Sequence, residues 1–209
     1  MSLDAYIHRS LPGEPGSPLL FLLHGTGGDE NQLIEFGHGL LPGATLVAPR
    51  GDVSEGGAAR FFRRTGEGVY DMEDLAARTE KMTGFVRAHS QAAKAEPVVG
   101  LGYSNGANIL ASVVFAVPSL FDAAVLMHPL IPFEPQVKGD LSGKRILITA
   151  GRRDPISPVA LTEGLARYLA AQGANVVTSW HEGGHEIRRE ELVAAQQFLA
   201  ADGLADGRN

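Results

Sequence analysis

Apolar residues fall along the chain in short continuous runs set between polar, glycine-rich stretches. Residues 5–9 and Leu19–Leu23 read as strands, and the SLPGEPGSP between them is turn chemistry, which predicts an antiparallel opening hairpin. Residues 31–40 make a short helix and residues 44–48 a third strand. Residues 50–69 are glycine-rich and read as irregular. Asp71 then caps a helix running to about residue 90, with Leu75, Thr79, Met82 and Val86 at helical spacing and Glu73 and Asp74 in its first turn.

The second half repeats a strand-then-helix alternation. Strands are expected at residues 97–101, 123–127, 145–149 and 176–180. Helices are expected at residues 107–115, between Ser157 (as N-cap, with Pro158 first in the helix) and Gly173, and over residues 186–200. The tail ADGLADGRN is expected to fray. Strands alternating with helices predict an α/β fold with a mostly parallel central sheet and helices on both faces. The connection from residue 128 to the strand at 145 is short, which leaves no room for a large lid.

Composition narrows the class. The 209 residues are 44% hydrophobic and 20% charged, the balance of an ordinary globule, and the length fits one domain over residues 1–209. A net charge of -6 without a basic block gives nucleic-acid binding no support. The absence of cysteine excludes disulfides, a thiol nucleophile and thiolate metal sites. Leu19–Leu23 is too short for a membrane span or a signal core, so a cytoplasmic location is expected.

The candidate chemistry begins at Gly102-Tyr103-Ser104-Asn105-Gly106, a G-x-S-x-G pattern between a strand and a helix. With 26 glycines in the chain the pattern alone is weak, and its flanking strand and helix give it meaning. A serine needs a base, and the base needs an acceptor that orients it. Asp154 and His185 each follow a predicted strand, in the Ser–Asp–His order that α/β-hydrolases use. His181 is the rival base, with less loop reach, and Asp122 and Asp140 are rival acids not placed at strand ends. His24 and His128, also at strand ends, are candidates for structural or substrate contacts. Backbone amides of Asn105 and of Thr26, in the HGTGG loop, are the natural donors to a developing oxyanion.

Two other patterns compete. HGTGG lacks the spacing of a dinucleotide loop and the lysine of a P-loop. His181-Glu182-Gly183-Gly184-His185 matches H-E-x-x-H literally, but that zinc motif needs a helix, and two central glycines after a strand oppose one by roughly 2 kcal/mol. Arg60-Phe61-Phe62-Arg63-Arg64 has two readings, a solvated surface or a pocket walled by Phe61 and Phe62 with an arginine for a polar or acidic substrate group.

Taken together, HGTGG, GYSNGAN, GRRDPISP and GGHEI resemble the small carboxylesterase/phospholipase branch of the α/β-hydrolases. RFFRR followed by an EDL-containing helix resembles, more narrowly, its hydroquinone-linked or dienelactone-hydrolase-like subgroup. Many carboxylesterases of this branch carry S-Q-G-G at the elbow, whereas this chain has Ser104-Asn105-Gly106-Ala107. The resemblance implies the α/β-hydrolase fold, with Ser104 as nucleophile, Asp154 as acid, His185 as base and main-chain donors at Thr26 and Asn105. The expectation is a serine esterase for small or short-acyl esters that needs no metal or organic cofactor. Phe61, Phe62, Leu130, Ile131 and Phe133, placed in loops after strands, are the pocket candidates. A thioesterase, lactonase, peptidase or acyltransferase would share the same acyl-enzyme step, and a non-catalytic ligand-binding protein could share the fold. The partner expected is a small-molecule ester, with a homodimer open as an assembly.

Overall fold

The computed structural model describes residues 2–201, so most of the tail expected to fray lies outside the described residues. In chain order the elements begin with β1 (His8–Leu11), β2 (Leu19–Leu23), α1 (Ile34–Leu40) and β3 (Thr45–Pro49). Two small hairpins follow, β4 (Val53–Glu55) with β5 (Ala58–Arg60), and β6 (Arg64–Gly66) with β7 (Val69–Tyr70). Then come α2 (Met72–Ala93), β8 (Val98–Tyr103), α3 (Asn105–Ala116) and β9 (Ala123–Met127). The chain continues through β10 (Arg145–Gly151), α4 (Val159–Ala171), β11 (Asn175–His181) and α5 (Arg189–Ala200).

Seven strands form one sheet in the order β1-β3-β2-β8-β9-β10-β11, and every pair except β1–β3 is parallel. The pleat sorts β2 cleanly. Leu19, Phe21 and Leu23 face the core beneath α2, α3 and α4, while Leu20 and Leu22 face the core beneath α1 and α5. All five are at most 1% exposed, and each such side chain contributes roughly 1.5–3 kcal/mol by leaving water. Burial on both faces is why β2 reads as an unbroken apolar run rather than an alternating one.

The expected opening hairpin does not form. β1 pairs antiparallel with β3, which lies between β1 and β2. β2, apolar on both faces, takes two parallel neighbours inside the sheet, and β1, exposed at its centre, goes to the edge. The stretch read as irregular at residues 50–69 holds the two small hairpins. Asp71 caps α2 as expected, accepting from the Asp74 amide at 3.0 Å. Ser157 does not cap α4: Pro158 stands at that position, and the Ser157 hydroxyl donates instead to the His128 carbonyl. α5 starts at Arg189 rather than 186, and there the Glu191 carboxylate reaches back to accept from the Arg188 amide at 2.7 Å.

Candidate active site

Ser104 sits between β8 and α3 with φ +52° and ψ -115°, a conformation that a serine rarely adopts. The turn is tight because α3 starts at once and crosses close to β2. A Cβ on Gly106 would lie 2.0 Å from the Leu23 carbonyl oxygen, so glycine is required there. The Ser104 amide donates to the Met127 carbonyl at 2.8 Å, which fixes the elbow to the end of β9.

Asp154 and His185 meet through a second close approach. β10 ends at Gly151, where a Cβ would lie 2.1 Å from the Gly184 oxygen, so only glycine lets the loop after β10 run against the loop after β11. His185 Nε2 then lies 2.8 Å from Ser104 Oγ, and its Nδ1 lies 2.7 Å from Asp154 Oδ2. The other carboxylate oxygen, Oδ1, accepts from the amides of Ile156 and Ser157 at 2.8 and 3.0 Å. Burial works to raise the Asp154 pKa. The hydrogen bonds from Ser157, His128, His185 and Ile156 outweigh it and hold the carboxyl below the usual carboxylate range. Tyr103, one residue before Ser104, donates its hydroxyl to the His185 carbonyl at 2.7 Å.

Thr26 and Asn105 line the same cleft as Ser104 and His185. Asn105 is the first residue of α3, where an amide has no intrahelical partner. The loop carrying Thr26 is pinned from three sides. His24 contacts the Gly25 carbonyl through Nδ1 and accepts from the Gly51 amide at Nε2. Burial, above all, lowers the His24 pKa and so keeps that ring neutral. The Gly27 amide donates to Ala59 on β5, and Arg60 donates to Thr26 Oγ1 at 2.8 Å.

The cleft of about 300 Å³ is walled differently from expectation. Of the sequence candidates, Leu130 lines it. Phe61 and Phe62 do not, because both are 0% exposed in the core. Phe62 instead packs edge-on against Tyr70, and it is Tyr70 that reaches the cleft. Ile131 turns into the core, and Phe133 lies against a separate groove beside α2 and α3. The remaining walls are Asn108, Tyr103, Ile156, Arg60, Arg64, Glu67 and Gly68. Asn108 was within reach of sequence reasoning, since four residues beyond Ser104 lies on the same face of α3.

The arginine cluster is neither wholly surface nor wholly pocket. Arg60 is 3% exposed and serves as a strut between Thr26 and the Phe62 carbonyl. Arg64 faces the cleft, while the Arg63 side chain is 61% exposed and paired with Asp71 and Asp74. His181 is buried and faces His128 and Glu191, away from the Ser104–His185 contact. Asp122 is engaged elsewhere, accepting from the Val98 amide, and Asp140 accepts from the Ser142 amide. The two histidines of H-E-G-G-H lie on a strand end and a loop and face different groups, so the helical geometry of the zinc motif is absent.

Comparison with known proteins identifies relatives of the whole chain. Residues 58–192 match the dienelactone hydrolase family. MhqD of Bacillus subtilis (strain 168), named a hydrolase, is 38% identical over 182 residues, which cover 86% of this chain and 91% of MhqD. A protein of unknown function from Agrobacterium tumefaciens strain C58 superposes with TM-score 0.91 at 61% identity, covering 96% of this chain and 98% of that one. The Bacillus cereus carboxylesterase superposes with TM-score 0.87 at 37% identity, covering 91% and 92% of the two chains. With its sheet order, its elbow serine and this match over more than half its length, the chain belongs to the dienelactone hydrolase family of α/β-hydrolase-fold enzymes.

Proposed function

We propose that this hydrolase cleaves small, short-acyl carboxylic esters through a covalent acyl-enzyme, with Ser104 as nucleophile, His185 as base and Asp154 as its orienting acid. The observation that carries the reading is the unbroken hydrogen-bonded chain from Ser104 Oγ through His185 to Asp154 Oδ2, at 2.8 and 2.7 Å. Ser104 Oγ attacks the ester carbonyl as its proton passes to His185 Nε2. The resulting oxyanion faces the amides of Thr26 and Asn105, and losing one such donor typically costs about 3–4 kcal/mol of transition-state stabilisation. Collapse expels the alcohol, which takes the proton from His185. Water then adds to the acyl-enzyme, gives a proton to the same nitrogen and releases the acid, and Ser104 recovers its hydrogen. The likeness to the Bacillus cereus carboxylesterase supports ester cleavage over other acyl transfers. The small cleft supports a short acyl chain.

A fluorophosphonate probe tests the nucleophile. Wild-type protein should be labelled and Ser104→Ala should not, and a folded wild type that resists labelling would overturn the assignment. A chain-length series of activated esters tests the substrate. Its kcat/KM should fall as the acyl group lengthens, and a rise beyond about eight carbons would contradict the short-acyl reading.

A further inference from the structure

Behind the Ser104–His185–Asp154 chain lies a second run of polar side chains that ester cleavage does not touch. His128 follows β9 and is 0% exposed. Its Nδ1 lies 2.8 Å from Asp154 Oδ2, the same oxygen that His185 contacts. Its Nε2 lies 3.1 Å from Glu191 Oε1 on α5. Glu191 is also buried, and it accepts from the Thr149 hydroxyl and, at 2.7 Å, from the Arg188 amide. His181 Nε2 stands 3.5 Å from both His128 Nε2 and Glu191 Oε2, and His181 Nδ1 accepts from the Gly183 amide at 3.0 Å.

Counting protons assigns each ring. Asp154 accepts from two amides and faces two imidazoles, and Glu191 accepts from a hydroxyl and an amide, so both act as carboxylates. An imidazole held between two carboxylates satisfies both only by donating from both nitrogens. His181, which accepts at Nδ1, carries its proton on Nε2 and directs it toward Glu191. That tautomer also argues against a metal shared by His128 Nε2 and His181 Nε2. Such a metal would move the His181 proton to Nδ1, against the Gly183 N–H.

We propose that His128 is a standing imidazolium, a positioning residue that shares the Asp154 carboxylate with His185 and so competes with the His185 ring for that carboxylate's charge. The proposal rests on the triad reading above. The groups that face His128 are Asp154 from the loop after β10, Glu191 from α5, His181 at the end of β11, His185 beyond it, and the Tyr103 ring on β8. Burial pushes the His128 pKa down, but hydrogen bonding and charge from Glu191 and then Asp154 outweigh it and raise it above the ordinary histidine value. Burial pushes Glu191 up, and the bond and charge of His128, with Thr149 and Arg188, bring it below the usual carboxylate range. A cation already seated on Asp154 leaves less of that carboxylate's charge to stabilise a proton on His185.

Two measurements test this. Imidazole 15N NMR of the Ser104→Ala protein, in which no turnover occurs, should show both His128 nitrogens protonated through neutral pH. In Glu191→Gln, which removes one carboxylate, the second proton should be lost near neutrality. A single protonated nitrogen on His128 at pH 7 in the first protein would overturn the proposal. The paired variant His128→Asn with Glu191→Gln removes both charges together, so no buried charge is stranded. The cation is the nearer of the two to His185, so the acid limb of the kcat/KM–pH profile should move up by about one pH unit. A limb that stays in place, or moves down, would reduce His128 to a structural role and overturn the proposal. Failure of the triad reading would appear separately, as loss of probe labelling with the His128 NMR result intact.

Discussion

Arg64 faces the cleft beside Ser104, yet its charge is already matched. Glu55 accepts from Nε at 2.9 and 3.1 Å, and Glu67 from Nη1 at 3.2 Å. A substrate therefore meets a wall that is polar but close to neutral, and acidic esters gain little from it. Unbalancing the pair should create a preference. Glu67→Gln should lower KM for an acidic ester a few-fold and leave its neutral counterpart unchanged, as expected for a solvent-screened charge. Equal shifts for both esters would show that Arg64 does not read charge. Arg63→Ala should change neither, because its side chain points to solvent and to the start of α2. The sequence run RFFRR hides this division of labour, since its consecutive side chains leave the link between the two hairpins in different directions.

Three elements converge on one polar knot at the cleft wall. Tyr70, at the end of β7, donates its hydroxyl to the Leu130 carbonyl at 2.7 Å and accepts from Asn108 Nδ2 at 2.9 Å. Asn108, on α3, accepts in turn from the Leu130 amide at 2.7 Å. Tyr70→Phe leaves a buried amide and a carbonyl short of partners, which should cost about 1–3 kcal/mol in urea unfolding. It should also raise KM more than it lowers kcat, since the knot shapes the wall and not the Ser104–His185 contact. A fall in kcat alone would contradict that. Element identity was largely legible in the sequence, because glycine and proline punctuate the strands and helices here. The Ser104, Asp154 and His185 loops were legible for the same reason, each following an apolar run at a strand end. What was hidden is long-range. The opening hairpin failed because β3, which arrives later in the chain, takes the place beside β2. Phe61 and Phe62 were misplaced because an apolar pair in a loop looks alike whether it lines a pocket or plugs a core. His128 and Glu191 meet only through the packing of α5 behind β10, which leaves no local pattern.

At the scale of the whole molecule, the buried His128–Glu191–Asp154 group ties stability to pH from both sides. Asp154 and Glu191 have depressed values, so their contribution is full above their unfolded values of about 4 and is lost as pH falls through the folded ones. His128 has a raised value, so its contribution is full below about 6.5 and is lost as pH rises through the folded one. His24 and His89, both lowered chiefly by burial, act in the opposite sense around neutrality. The difference between wild type and the paired His128/Glu191 variant isolates the network. The wild-type advantage in urea midpoint should be greatest between about pH 4 and 6.5 and shrink on either side. A difference independent of pH would contradict the ionised assignment. No helix among the described residues is long and apolar enough to cross a membrane. The hydroxyl of Tyr103 reaches across to the His185 main chain, so the residue beside Ser104 grips the backbone of His185. The Ser104 elbow and the His185 loop are thus yoked: a fluctuation that opens the one pulls on the other. Cutting that tie with Tyr103→Phe should loosen the His185 loop while leaving the Ser104 elbow, held by the Met127 carbonyl, in place.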